Sequence, residues 1–206
     1  MTRSDSPAHG LPVNPAGSAA PREIEIKLRV PDMNLPRAAL LRASAEFIER
    51  VVELNTFYDR PDASLRAAGC GLRLRLIRRQ GAAAPAGLLT WKGPEGRGVM
   101  HNRASFDLTV TPADLPGGFL QALGFVPTVA FEKRRESWRL DDCRVELDEL
   151  PVLGRFVEIE GPDENAVLAV RGKLGLEAIP NEPATYLAMV SRYLQAHPAP
   201  ENTLRF

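Results

Sequence analysis

The chain has 206 residues, 44% of them hydrophobic, which suits one domain with a filled core. Lys+Arg 26 and Asp+Glu 26 cancel to a net charge of +0, with pI ≈ 6.9, so there is no bulk field to draw nucleic acid or an anionic membrane. Cys70 and Cys143 match neither a metal nor a disulfide spacing and read as structural thiols in a reducing cytoplasm.

Residues 1–21 are rich in Pro, Ala, Ser and Gly without any period, a composition that reads as a disordered tail. No h-region follows Arg3, so no signal peptide is expected, and no apolar run reaches the ~18 residues of a membrane span. Arg22–Val30 alternates charge and aliphatic with a period of two, the mark of a strand. Residues 31–45 read as a helix with Pro36 in its first turn, and 47–59 return to strand composition. Residues 60–71 form a loop or short helix; Gly69-Cys70-Gly71 lacks the following Gly-Lys-Ser/Thr of a phosphate loop and reads as a turn. Strands are expected at 72–79, 87–92, 102–110, 131–140, 143–147 and 155–160, with helices at 112–123, 162–174 and 183–196. The fold class is therefore α+β, a large antiparallel sheet with several helices, followed by a short tail at 198–206.

Reading every second residue sorts the charges. Glu23, Glu25 and Lys27 share one face, as do Arg73 and Arg75, Thr90 and Lys92, and Arg103, Ser105 and Asp107. Lys133 pairs in this way with Arg135, Glu146 with Asp148, and Glu158 with Glu160, while the alternate positions are aliphatic or aromatic. Acids gather on the first strand and the last two, bases on the middle strands. If the sheet closes into a barrel, the charged face points into a lumen, where charges must be paired or bound to ions. Arginine forks match phosphate oxygens, and clustered carboxylates match hard divalent cations that bridge to phosphate. A phosphate chain with Mg2+ or Mn2+ is the chemistry that such a lumen fits.

These residues resemble the CYTH domain, or triphosphate tunnel metalloenzyme, family. Glu23-Ile24-Glu25-Ile26-Lys27 is similar to its E-x-E-x-K opening. Phe57-Tyr58-Asp59, Leu72-Arg73-Leu74-Arg75, Thr90-Trp91-Lys92-Gly93, Lys133 with Arg135, Val145 to Glu149, Leu153 to Glu160 and Thr185-Tyr186 follow in the family's order. The resemblance implies an eight-stranded antiparallel barrel forming a tunnel over residues 22–197. It also implies action on a triphosphate with a divalent metal. The chain departs from the family's R-x-E-x-E element, which reads Arg103-Ala104-Ser105-Phe106-Asp107, and has Phe57 where Tyr is common. Gly71 stands where thiamine triphosphatases carry a stacking aromatic, which argues against thiamine triphosphate.

The resemblance thus implies hydrolysis of inorganic tripolyphosphate in the tunnel, with catalytic roles for Lys27, Glu23 and Glu25. The phosphate chain would be bound by Lys27, Arg73, Arg75, Lys92, Arg103, Lys133 and Arg135. Metal would be held by Glu23, Glu25, Asp148, Glu158 and Glu160, with Glu146 as an additional ligand. Alternatives are a class IV adenylate cyclase and a polyphosphate or nucleotide binder with little turnover. The expected partner is a small-molecule triphosphate, without nucleic acid or membrane, for a cytoplasmic monomer or homodimer.

Overall fold

The computed structural model describes residues 22–94, 101–113 and 115–206, except for the side chains of residues 22–23 and 101–103. The expected tail at 1–21 and most of the glycine-rich loop after Lys92 lie outside the described residues.

Nine strands form one sheet: β1 Arg22–Val30, β2 Glu46–Asp59, β3 Gly71–Arg79, β4 Ala86–Lys92, β5 His101–Val110, β6 Val126–Leu140, β7 Cys143–Leu150, β8 Gly154–Gly161 and β9 Thr203–Leu204. Their order is β2-β3-β4-β5-β1-β8-β7-β6-β9, and β2 also pairs with β6. That extra pairing, antiparallel from Glu46↔Arg139 to Asp59↔Val126, closes β1 to β8 into an eight-stranded barrel. Closure removes the exposed edges that an open sheet would leave.

The helices are α1 Asn34–Arg42, α2 Ser64–Ala67, α3 Leu115–Ala122, α4 Glu164–Lys173 and α5 Tyr186–Ala196. α4 and α5 start later than Pro162 and Pro183, because a capping side chain fixes the first turn of each. Asp163 accepts a hydrogen bond from Ala166 N at 2.9 Å, and Thr185 accepts one from Ala188 N at 3.2 Å.

The barrel is inverted relative to a small packed one: its main apolar core lies outside the wall. Ile26, Leu28, Val145, Leu147, Val157 and Ile159 point outward and pack with Leu40 of α1 and Val167 and Val170 of α4. A second cluster joins Tyr58, Leu72 and Leu74 to Leu65 of α2 and Leu120 of α3. Burying each such side chain contributes ~1.5–3 kcal/mol, and the interior is thereby released for charge.

Towards one end the inward positions turn apolar. Phe131, Leu150 and Phe156 pack with Tyr186, Met189, Val190 and Leu194, so α5 plugs that opening of the barrel. The expected tail at the C-terminus belongs to this plug: β9 pairs parallel with β6 and buries Leu204 in the same cluster. Two residues carry too little pattern to announce a strand. On the outer face of β4 and β5, the Trp91 ring lies tilted against that of Phe106, which is half-exposed.

Candidate active site

The inward face of the barrel encloses a cavity of about 550 Å³. Of the sequence-predicted residues, Glu25, Lys27, Arg73, Arg75, Lys92, Lys133, Arg135, Glu158 and Glu160 line it. Glu23 and Arg103 are register partners on β1 and β5, but their side chains lie outside the described residues.

Geometry divides the charges into a saturated cluster and a looser one. Asp148, 0% exposed, accepts from Arg135 Nε at 2.6 Å, Arg135 Nη2 at 2.5 Å, Lys133 Nζ at 3.2 Å and the Tyr186 hydroxyl at 2.9 Å. It is absent from the cavity wall, and it anchors the cations that do line the wall. Glu158 accepts from Arg135 Nη2 at 2.6 Å and pairs with Lys27 Nζ at 3.3 Å. Burial would raise the Glu158 carboxyl, but Lys27, Arg135 and Lys133 outweigh it and hold it well below the usual range. Lys27 also donates to Ala184 O at 3.3 Å and sits 4.2 Å from the centre of the Tyr186 ring. Burial and the charges of Asp148 and Glu158 push the Tyr186 hydroxyl well above its usual range, so it remains a donor.

The looser cluster lies on β2 and β3. Glu53, 2% exposed, approaches Arg75 Nη1 and Lys133 Nζ, each at 3.4 Å. Burial opposes its ionisation, yet Lys133, Arg75, Arg135 and Arg73 keep it well below the usual carboxyl range. Arg73 makes no ion pair or hydrogen bond from its guanidinium among the described residues. Burial and the neighbouring Arg75 pull its pKa down to about 9, against the opposing charges of Glu53 and Asp107. Arg75 Nε, Asn55 Oδ1 and Ser105 Oγ are buried without hydrogen-bond partners.

Sequence reasoning missed Glu53, Asn55, Ser137 and Arg144 on this wall. For β2 a signal existed: Glu49, Val51, Glu53, Asn55 and Phe57 all share the inward parity, but Val51 and Phe57 interrupt the charge pattern that marks the other strands.

Among the described residues no three acidic, His or Cys side chains converge as a ready metal cluster. Glu25 and Glu160, however, are register partners across β1 and β8, and both face the cavity. Like charges placed opposite each other repel, and hard cations take such oxygen ligands. The oxygen donors of Glu25 and Glu160 suit a divalent cation, and Asp148 and Glu158 pair with the cations Arg135, Lys133 and Lys27.

A closed antiparallel barrel with an inward-facing charged lumen and a helical plug defines the tunnel fold. The CYTH domain matches residues 21–186, and the chain belongs to that family. Adenylate cyclase CyaB of Aeromonas hydrophila is 28% identical over 184 residues, covering 84% of this chain and 90% of that protein. The PH1819 protein of Pyrococcus horikoshii OT3 superposes with a TM-score of 0.71 at 23% identity, over 83% of this chain and 99% of that one. HpAC1 of Hippeastrum, an adenylyl cyclase candidate with a dominant triphosphatase activity, superposes with a TM-score of 0.65 at 20% identity, over 83% and 96%. The family contains triphosphatases and class IV adenylate cyclases, enzymes that use divalent metal ions. Among the described residues no helix is long and apolar enough to cross a membrane.

Proposed function

We propose that this chain hydrolyses inorganic tripolyphosphate within its tunnel. The observation that carries the reading is Arg73, a half-buried guanidinium on the wall of the cavity with no ion-paired carboxylate among the described residues. A buried cation of this kind costs stability unless an anion completes it, and guanidinium forks suit phosphate oxygens. Lys27, Lys92, Lys133 and Arg135 would neutralise the rest of the phosphate chain. Hydrolysis forms a bond from a water oxygen to the terminal phosphorus as the bridging P–O bond breaks, and the diphosphate leaves with the electron pair. Such a step depends on positioning and charge stabilisation more than on covalent chemistry. A divalent ion held by Glu23, Glu25 and Glu160 would polarise phosphate oxygens as a Lewis acid.

A second reading, a class IV adenylate cyclase, is favoured by one feature of the wall. Val51, Ile77 and Leu88 form an apolar stretch inside the otherwise charged cavity, where an organic group could rest. In that reaction the 3′-hydroxyl of ATP attacks the α-phosphorus, giving cyclic AMP and releasing diphosphate. Phosphate release from tripolyphosphate, ATP and thiamine triphosphate, each with Mg2+ and with Mn2+, separates the readings. Rapid release from tripolyphosphate is expected, with loss on the order of 100-fold or more in Glu160→Gln. Formation of cyclic AMP and diphosphate from ATP, or undiminished turnover in Glu160→Gln, would overturn the proposal.

A further inference from the structure

Asn55, 0% exposed on the inward face of β2, donates from Nδ2 to Glu53 Oε2 at 3.3 Å. That bond fixes the amide so that its oxygen, Oδ1, is the atom left without a donor. Arg75 is the register partner of Asn55 across β2 and β3, and its Nε is left without an acceptor. Inward-facing register partners bring their Cβ atoms to ~4.5–5.5 Å. An unused acceptor and an unused donor therefore belong to cross-strand neighbours that both line the cavity, and both residues contact the carboxylate of Glu53.

The chemistry of the occupant follows from this pair. An ionised phosphate oxygen accepts but cannot donate, and the Glu53 carboxylate repels it. An ammonium or guanidinium donates but cannot accept. A hydroxyl or a water does both, and a water is small enough to sit beside a bound phosphate chain. We propose that Asn55, Arg75 and Glu53 form a hydroxyl site, and that its occupant is the water that attacks the phosphate chain. The site rests on the tripolyphosphatase reading for its role, though not for its existence. The water accepts from Arg75 Nε and donates to Asn55 Oδ1 and to Glu53, which leaves a lone pair turned towards the bound chain. Glu53 stays ionised amid Lys133 and Arg75 and so orients the water as an acceptor. It also keeps phosphate oxygens out of the place that the water needs.

A high-resolution crystal structure of the full chain, with steady-state kinetics on tripolyphosphate, tests both parts. An ordered oxygen is expected within ~3 Å of both Asn55 Oδ1 and Arg75 Nε. In Asn55→Leu that oxygen should vanish and kcat should fall about 100-fold while KM moves by less than about threefold. Asn55→Asp, which keeps an oxygen there, should restore kcat to within about tenfold, with folding checked by thermal unfolding. Glu53→Gln should lower kcat and KM together, because it removes both an orienting acceptor and a negative charge from a polyanion tunnel. A merely structural Glu53 would not give that split. Absence of the oxygen would overturn the site, and an unchanged kcat in Asn55→Leu would overturn its role. Wild-type protein that releases no phosphate would overturn the tripolyphosphatase reading and the role together, leaving the site to stand or fall on the oxygen alone.

Discussion

Among the cations of the tunnel, Arg73 and Arg135 represent opposite solutions to burying a guanidinium. Arg135 is hydrogen-bonded to Asp148 and Glu158, and although burial opposes it, Asp148 and Glu146 raise its pKa well above the usual value. Arg73 has no such partner, and its burial is uncompensated until an anion arrives. The two should respond differently to truncation. Arg73→Ala is expected to weaken tripolyphosphate binding about 10–100-fold, the worth of a charge-assisted contact, while raising the fold's stability by ~1 kcal/mol through loss of a buried unpaired charge. Titration calorimetry and urea unfolding measure the two effects; a variant both weaker-binding and less stable would show that Arg73 is part of the structural network. The Arg73 site was legible from Leu72-Arg73-Leu74-Arg75 alone. Its lack of a partner was not, because pairing depends on which acids lie across the lumen.

At the scale of elements, side chains are positioned by close contacts between the wall and its helices. A Cβ added at Gly161, at the end of β8, would meet Cys143 Sγ at 2.7 Å and Val167 Cγ2 at 3.0 Å. Val167 lies in α4, so glycine lets that helix seat on the wall beside Glu158 and Glu160. Gly161→Ala should cost ~1–3 kcal/mol through overpacking, lowering the thermal midpoint by several degrees for a chain of this size; an unchanged midpoint would show that α4 gives way freely. The same contact assigns Cys143 a packing role. At the other opening, α5 brings Tyr186 to Asp148 and to Lys27, which joins the plug to the saturated charge cluster. The helix at 183–196 was legible in the sequence, yet the contacts of Tyr186 with Asp148 and Lys27 were not.

For the molecule as a whole, the interior ion pairs make the barrel sensitive to acid. Glu53 and Glu158 are held well below the usual carboxyl range. Groups depressed in the folded state stabilise it fully above their unfolded pKa, ~4.3 for Glu. That contribution is lost as pH falls through the lower folded values. Protonation then leaves Lys27, Lys133, Arg75 and Arg135 crowded without counter-charge. The urea midpoint is expected to be nearly level from pH 7 to about 5 and to drop steeply below about 4. A midpoint that stays level down to about pH 3 would show that these pairs contribute no net stability.

The sequence by itself determined the strands, the parity of their faces and the separation of acids from bases, because a strand's side chains alternate whatever it pairs with. Through the family motifs it also pointed to wall positions such as Lys27, Arg73, Arg75, Lys133 and Arg135, though not to Glu53 or Asn55. Tertiary structure alone decided that β2 meets β6 and closes the ring, since pairing between distant strands leaves no local trace. It decided, too, that Asp148 serves Arg135, Lys133 and Tyr186 while Glu25 faces Glu160, for the register across strands determines which charges meet. Asn55 and Arg75 became neighbours in the same way, and their unused atoms are visible only once the wall around them is complete.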